Sequence, residues 1–145
     1  MSHSPILTAK EVAEFLAQVF PQAFPRDASP YSILDLAPMT ARVSYVADGS
    51  DLRPGDTVSG PTLMTLADVA MYIVLLAHIG RVELAVTTNL AINFLRKPEA
   101  GHLVAEARLL KLGRRLAVGD VLIGGEGGDD APYAHATCTY SIPPR

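Results

Sequence analysis

Cysteine is almost missing from this 145-residue sequence, which contains only Cys138. A single cysteine excludes an intrachain disulfide. The four histidines, His3, His78, His102 and His135, show no metal-ligand spacing among themselves or with it. We therefore expect no metal site, and we expect a reducing cytoplasm as the compartment of this chain.

Charge is also scarce, because Lys, Arg, Asp and Glu make up 19% of the residues and the net charge is −3. No long basic run is present, so the phosphate-neutralising attraction that drives nucleic-acid binding is missing. The opening residues 1–5 lack the basic start and apolar core of a signal peptide. These absences predict no nucleic-acid partner and no export.

Apolar residues, by contrast, make up 49% of the chain, which is rich for a small protein that must also cover its own surface. The length suffices to bury one substantial core without disulfides or metals. We therefore predict a single domain over residues 1–145, with an N-terminal helix and connector in residues 1–30. Some apolar surface is expected to be buried between subunits.

The run from Pro61 to Gly80 is the one candidate for a membrane span. Asp68 interrupts it, no Lys/Arg pair anchors its leading end, and the rest of the chain has strand patterns. Its apolar residues cover nearly every helical face, so the helix must be wrapped on most sides. We interpret it as a core helix and expect no membrane partner.

Capping and breaking residues predict where the two helices begin and end. Thr8 can cap a first helix, 9–20, in which apolar residues recur at three- and four-residue spacing. The long helix begins after Ser59, where proline suits a first turn, and it ends at Gly80. The turn-rich segment 48–57 before it is predicted to be a loop.

Strand patterns flank the long helix, two before it and four after it. The first two, joined at Pro38, look like an antiparallel pair, and turn-rich residues at 111–114 and 124–130 separate later strands. The first strand after the helix alternates between two faces. Its predicted core face is Leu84, Val86, Leu90, Ile92 and Phe94, and its more polar face is Ala85, Thr87, Asn89, Ala91 and Asn93. The predicted strands are 31–37, 39–47, 84–95, 102–112, 115–124 and 132–142.

Asp68 is the only charged residue between Pro61 and Leu76. A carboxylate in so apolar a run must be hydrogen-bonded, exposed at an edge, or functional. A structural hydrogen bond or a solvent-facing point on the helix therefore stays open as an alternative to a catalytic role.

Three motifs follow one another along the chain, and their order is informative. They are Ser59-Gly-Pro-Thr-Leu-Met-Thr-Leu-Ala-Asp68, Ala85-Val-Thr-Thr-Asn-Leu-Ala-Ile-Asn-Phe-Leu-Arg96 and Leu112-Gly-Arg-Arg-Leu-Ala-Val118. Together they resemble the hotdog-fold acyl-CoA thioesterases of the phenylacetate-degradation type, over about Arg42 to Ile142. The resemblance and the element order imply an α+β hotdog fold. In that fold an antiparallel sheet wraps one long apolar helix, and this chain adds an N-terminal helix.

The resemblance also places four residues, Asp68, Gly60, Ser59 and Thr87, in the catalytic site. Asp68 matches the catalytic carboxylate, a general base toward water or a nucleophile toward the thioester carbonyl. Gly60 follows Ser59 in the turn whose backbone N–H binds the developing oxyanion at a helix N-terminus. Thr87 matches a hydroxyl that holds the water or the carboxylate. A structural explanation stays open for two of them. Gly60 could serve only to permit a tight turn, and Thr87 could be present only because threonine is common in β-strands.

Acyl-CoA is the partner that the resemblance implies, and no separate cofactor is expected because CoA is part of the substrate. A polyanion needs positive charge and fixed donors. Asn89 and Phe94 match residues that touch the ligand, and Arg96-Lys97 is a competing basic position. The pantetheine and phosphates pass, by resemblance, at Gly113, Arg114, Arg115 and Leu116.

The chain departs from the family pattern at several positions. The usual His-Gly-Gly is Ser59-Gly60-Pro61 here, which removes the histidine and the second glycine's N–H. Arg53 stands where many members carry an Asn or Gln that contacts the thioester carbonyl, and Ala91 replaces an Asn. These departures leave the choice of acyl group open.

Three functions follow from these observations. The first is an acyl-CoA thioesterase, a dimer or dimer of dimers, in which Asp68 of one subunit acts with Gly60 across an interface. The second is a hotdog protein that binds acyl-CoA or another apolar ligand without turnover. A hotdog dehydratase is disfavoured, because it needs a histidine at the start of the long helix and none lies between His3 and His78. His78, His135 and Cys138 are interpreted as structural residues.

Overall fold

The computed structural model describes residues 3–126 and 131–144, and places one long helix against a sheet of six strands. Its strands are antiparallel, in the order β1-β2-β6-β7-β8-β5. This is the predicted α+β hotdog arrangement with an extra N-terminal helix. The elements are α1 (Ala9–Val19), β1 (Tyr31–Ala37), β2 (Thr40–Val46), β3 (Leu52–Arg53), β4 (Thr57–Val58), α2 (Gly60–Ile79), β5 (Val86–Phe94), β6 (His102–Leu112), β7 (Leu116–Gly125) and β8 (Ala134–Ser141).

Helix α2 is the centre of the core. It is long and apolar enough to cross a membrane, but 61% of its most apolar 18-residue window is buried inside the fold. The sheet covers most of it, and α1 packs against part of the remainder. The helix ends at Gly80, whose φ of 96° is a conformation that glycine adopts without steric cost. The long apolar helix is therefore the core helix, as predicted.

A capping box begins helix α1. The Thr8 hydroxyl accepts a hydrogen bond from the Glu11 N–H, and the Glu11 carboxylate accepts one from the Thr8 N–H. The predicted apolar stripe faces inward, where Val12, Phe15 and Leu16 are buried. Helix α1 thereby becomes an additional layer on the fold.

The segment 48–57, predicted to be a loop, contains short regular structure. A 3₁₀ turn at Gly49–Asp51 leads into the small hairpin of β3 and β4. Its turn includes Gly55 and Asp56, both at positive φ. Two-residue strands are too short to show a hydrophobic alternation, and this is why the pattern indicated only a loop.

The predicted faces of β5 are wrong in part, because the strand contains a β-bulge between Thr87 and Asn89. The extra residue shifts the alternation by one position. Thr87 therefore lies opposite the buried Tyr140, on the same face as Leu90, whereas Val86 is 55% exposed. The strand also begins at Val86 rather than at residue 84.

The other strands agree with their predicted ranges to within two residues, and β1 and β6 agree at both ends. The last three strands form the predicted antiparallel run, and β5 joins it by pairing with β8. The predicted turn 124–130 starts at the end of β7, and residues 127–130 of it lie outside the described part of the chain.

Gly119 on β7 is the point at which the sheet leaves no room for a side chain. A Cβ there would lie 2.5 Å from the Arg108 carbonyl oxygen and 2.8 Å from the Met71 Sδ on α2. We expect Gly119→Ala to lower the free energy of unfolding by about 1–3 kcal/mol through overpacking, measured by urea denaturation. The control is Gly124→Ala on the same strand, where a Cβ meets nothing within 4 Å. Equal stability of the two variants would contradict this reading.

His78 ties the end of α2 to the β1–β2 turn. Its Nε2 accepts a hydrogen bond from the Met39 N–H at 2.9 Å, so its Nδ1–H donates to the Val74 carbonyl at 2.7 Å. Met39 has a φ of 62°, and this bond helps to hold that conformation. Burial lowers the pKa of His78, which favours the neutral ring that this geometry requires.

The lowered pKa of His78 predicts a pH-dependent stability. In the unfolded chain His78 has a pKa near 6.5, which is higher than its pKa in the fold. The stabilisation that neutral His78 gives the fold is therefore complete above about pH 6.5 and is lost as the pH falls. We expect His78→Leu to destabilise the protein at neutral pH by about 1–3 kcal/mol, because the Met39 N–H loses its acceptor. Urea unfolding from pH 7.5 to about 5 should show the gap narrowing. A constant gap would refute the assignment.

Candidate active site

Asp68 lies about two turns into α2 and is held by hydroxyl groups from two strands. Thr87 Oγ1 on β5 donates to Asp68 Oδ1 at 2.5 Å, and the Tyr140 hydroxyl on β8 donates to the same oxygen at 2.7 Å. In the described part of the chain no donor lies on Oδ2. The carboxylate is therefore oriented through one oxygen while the other is left for a ligand.

The bulge in β5 and the alternation in β8 bring these partners together. Small side chains precede Tyr140 on the inner face of β8, at Ala134, Ala136 and Cys138, so the tyrosine ring reaches the helix. Burial raises the pKa of Tyr140, and the charge of Asp68 raises it further. The phenol consequently stays protonated and acts as a hydrogen-bond donor to the carboxylate.

The first turn of α2 leaves one backbone donor over. The Ser59 hydroxyl accepts from the Thr62 N–H, Leu63 N–H donates to the Ser59 carbonyl, and Pro61 has no N–H. In the described part of the chain this leaves the Gly60 N–H as the donor without an acceptor at the helix's positive end. Ser59, predicted to belong to the catalytic site, is the N-cap of α2, and its hydroxyl contacts Thr62.

Gly60 lies close to an aromatic ring, and its backbone conformation is not one that requires glycine. Gly60 does not have a positive φ, but a Cβ there would lie 3.2 Å from the Phe94 Cζ. Beside this pair is a cavity of about 320 Å³ whose lining includes Arg53, Arg96 and Lys97. Phe94, predicted to touch the ligand, therefore lies next to the predicted oxyanion donor.

Gly60 and Asp68 are too far apart to act on one carbonyl group within one chain. Eight residues separate them on a continuous helix, which corresponds to about 12 Å along its axis. A base and an oxyanion donor must both lie roughly 3 Å from the reacting atoms. If both predicted roles hold, a single chain presents two half-sites, one at Asp68 and one at Gly60.

The sequence and fold of the chain match known thioesterases. The model of the family described as "Thioesterase superfamily" matches residues 55–131. A candidate thioesterase from Silicibacter sp. TM1040, known from its crystal structure, is 48% identical. The match covers 97% of this chain and 94% of that one, with a TM-score of 0.84. The chain belongs to the thioesterase superfamily.

More distant structures support the same fold. The phenylacetic acid degradation protein PaaI of Thermus thermophilus is 27% identical over 78% of this chain and 93% of that one, with a TM-score of 0.67. Zebrafish thioesterase superfamily member 2 is 22% identical, with a TM-score of 0.79, over 94% of this chain and 99% of its own. No curated protein sequence matches the chain.

The residues that superfamily resemblance assigned to CoA are not gathered in one place. The turn at 113–116 lies at the end of the sheet where Leu116 and Val86 both pair with Ser141. Phe94 lies at the opposite end of β5, where it pairs with Ala134, and Asn89 is exposed between them. Within one chain, the 113–116 turn is on the Asp68 side and Phe94 is on the Gly60 side.

A buried carboxylate that the sequence reading missed supports the start of α2. Asp51, 8% exposed, accepts hydrogen bonds from the Tyr45 hydroxyl, from Thr62 Oγ1 at 3.0 Å and from the Asp48 N–H at 2.9 Å. The Asp51 carbonyl also accepts from the Ser59 N–H at 2.8 Å. The only sequence signal was its position among turn-forming residues. Asp51 thereby fixes the helix terminus that carries Gly60.

The described residues contain no cluster of three or more side chains able to hold a metal ion. His135 instead lies beside Asp120, which Arg108 also contacts, on the outer face of the sheet. Partial burial raises the pKa of Asp120, but hydrogen bonds from His135 and Arg108, with the charge of the Arg108 guanidinium, lower it below its usual value. This cluster is a partly buried hydrogen-bond and ion-pair network across strands rather than part of the Asp68 site.

Cys138 lies beneath the Asp68 site and is 1% exposed. Burial, with the charges of Asp68 and Asp120 adding to it, raises the pKa of the thiol to about 12. We expect iodoacetamide to leave Cys138 unmodified in the native protein at mildly alkaline pH and to alkylate it once urea unfolds the chain, as mass spectrometry would detect. Rapid native labelling would contradict this environment. An unreactive thiol also leaves assays of thiol release free of background.

Proposed function

We propose that this protein hydrolyses an acyl-CoA thioester to the free acid and CoA. The observation that carries the proposal is the geometry of Asp68 in this superfamily member. Thr87 and Tyr140 hold one carboxylate oxygen, and the other is available at the edge of a cavity of about 350 Å³. A half-buried carboxylate without a cationic partner in the described part of the chain is suited to proton transfer or nucleophilic attack.

The chemistry needs two groups of the protein. Asp68 takes a proton from water as the water attacks the thioester carbonyl, or attacks the carbonyl itself to give an anhydride that water then cleaves. In either case the carbonyl oxygen becomes an oxyanion, which the Gly60 N–H and the helix dipole stabilise. Collapse of the tetrahedral intermediate expels the CoA thiolate. Thr87 is proposed to position Asp68.

The two half-sites complete each other if two copies pair through β5. This strand is an edge of the sheet, with Thr87 near one end and Phe94 at the other, roughly 20 Å apart. Antiparallel pairing about a two-fold axis places the Asp68 side of one subunit beside the Gly60 side of its partner. Large exposed apolar residues on or beside this edge favour such a contact: Leu84, Val86, Phe94 and Leu95. We therefore propose a dimer, or a dimer of dimers.

The same pairing gives the predicted CoA residues a common location. The turn carrying Gly113, Arg114, Arg115 and Leu116 lies on the Asp68 side, so pairing brings it near Phe94 of the other subunit. Arginine guanidinium groups suit phosphate oxygens. Arg53 occupies the cavity beside Gly60, where it replaces the amide side chain common in the family. We propose the cytoplasm as the site of action, in keeping with the free thiol of Cys138.

Binding of acyl-CoA without turnover is the second candidate. It is favoured by one feature of the α2 terminus, where Pro61 removes a backbone donor and the Ser59 hydroxyl is committed to capping. Hydrolysis that depends on Asp68 separates the two functions.

Thiol release from a panel of acyl-CoAs tests the proposal. We expect the wild type to turn over and Asp68→Asn, which keeps the shape but loses the base, to be slower by roughly 100-fold or more. The matched control is Asp35→Asn, an exposed carboxylate on β1, which should retain wild-type rates. Equal activity of wild type and Asp68→Asn would refute the role of Asp68. If no substrate is hydrolysed but acyl-CoA still raises the melting temperature, the protein is a binding module.

A further inference from the structure

The cavity beside Asp68 has an apolar wall to which the N-terminal helix contributes. Its apolar lining includes Val19 at the end of α1, the C-cap Phe20, Val69 of α2, and Leu84 and Val86 before and at the start of β5. Its volume is about 350 Å³. The carboxylate at one end of the cavity is the group proposed to act on the thioester, so a chain attached to that carbonyl would have this wall within reach.

The charges around the cavity restrict what can occupy it. Asp68 and Glu83 are the ionisable acids in the lining, and no Lys, Arg or His lines it among the described residues. The Tyr72 hydroxyl is already engaged with the Glu83 carbonyl at 2.9 Å, and its ring stacks against Tyr140. An acyl chain ending in a carboxylate would meet like charge and find no cation. An uncharged apolar chain fits the wall.

We infer that this cavity is the acyl-chain site, that it accepts uncharged apolar chains, and that Phe20 limits their length. The inference rests on the proposed thioester hydrolysis. Phe20 is 42% exposed, and its ring packs edge-on against Phe24, which fixes one side of it and leaves another toward the cavity. Helix α1 lies outside residues 55–131, so this wall is formed partly by a segment that the superfamily model does not cover.

Helix α1 is anchored firmly enough to act as a wall. At its beginning the Ile6 and Leu7 N–H groups donate to the Ala77 carbonyl at 2.7 and 3.2 Å. An ion pair of 3.7 Å joins Glu11 to Arg81, just beyond the end of α2. These ties and the buried stripe of α1 set the position of its far end, which carries Phe20. The length limit is therefore a property of the fold rather than of a loose segment.

The experiment is a kcat/KM series over straight-chain acyl-CoAs of increasing length, with wild type, Phe20→Ala and Phe20→Trp. We expect Phe20→Ala to raise the ratio of long-chain to short-chain kcat/KM by roughly tenfold or more, and Phe20→Trp to lower it, because each methylene accommodated or refused changes transition-state binding. The control is Leu110→Ala, 56% exposed on β6 and away from the cavity, which should leave the ratio unchanged. An acyl-CoA with a terminal carboxylate should be hydrolysed at least tenfold more slowly than its neutral counterpart of equal length.

Three results would overturn the inference. One is an equal change of kcat/KM for every chain length in both Phe20 variants. Another is that the Phe20 variants dissociate in size-exclusion chromatography while the wild type does not, which would make Phe20 a subunit contact. A third is equal turnover of the carboxylated and neutral chains.

Failure of the proposed function is recognised separately, by an active Asp68→Asn or by an inactive wild type. In the inactive case, the melting-temperature shifts caused by the same acyl-CoAs measure the length selectivity. A Phe20→Ala protein that favours longer chains in this assay supports the acyl-chain site, and unchanged selectivity refutes it.

Discussion

Helix α2 has no polar face, and the rest of the molecule is arranged to bury it. Twenty residues of almost unbroken apolar sequence need cover on most sides, which a curved antiparallel sheet and a second helix together supply. The closeness of this packing is visible at Gly119, where even a methyl group would collide with Met71. The burial of α2 also explains why a segment as apolar as a membrane span occurs in the middle of a globular domain.

A carboxylate in such an apolar helix needs hydrogen-bond donors, and the sheet supplies them. Asp68 receives two hydroxyl donors, from Thr87 and Tyr140, and neither brings a positive charge. The half-buried group is thus oriented through one oxygen without an ion pair in the described part of the chain, an arrangement that suits the role proposed for it. The N-terminus of α2 is held by hydrogen bonds to Asp51. These bonds leave the Gly60 N–H without an acceptor in the described part of the chain.

Placing both functional groups on one straight helix has a geometric consequence. About 12 Å of helix separates Asp68 and Gly60, so one chain does not bring them to the same carbonyl group, and the dimer proposed through the β5 edge would join them. In that proposal function and oligomerisation depend on the same strand, since β5 carries Thr87, Phe94 and the exposed apolar residue Val86. Helix α1 contributes Val19, and its C-cap Phe20, to the lining of the cavity beside Asp68, which is the basis of the acyl-chain site inferred above.

Local patterns in the sequence determined the two helices, the ranges of β1 and β6, the order of elements and the candidacy of Asp68, whereas Gly60 became a candidate through the family resemblance. Periodicity, capping residues and a lone charge in an apolar run act over a few residues and can be recognised there. Only the tertiary structure decided the bulge that turns Thr87 inward, the pairing of Tyr140 with Asp68 across 72 residues, the Asp51 network, and the separation of the predicted CoA residues. These features depend on which strands become neighbours, and that choice is made by burying α2 as a whole rather than by any short segment.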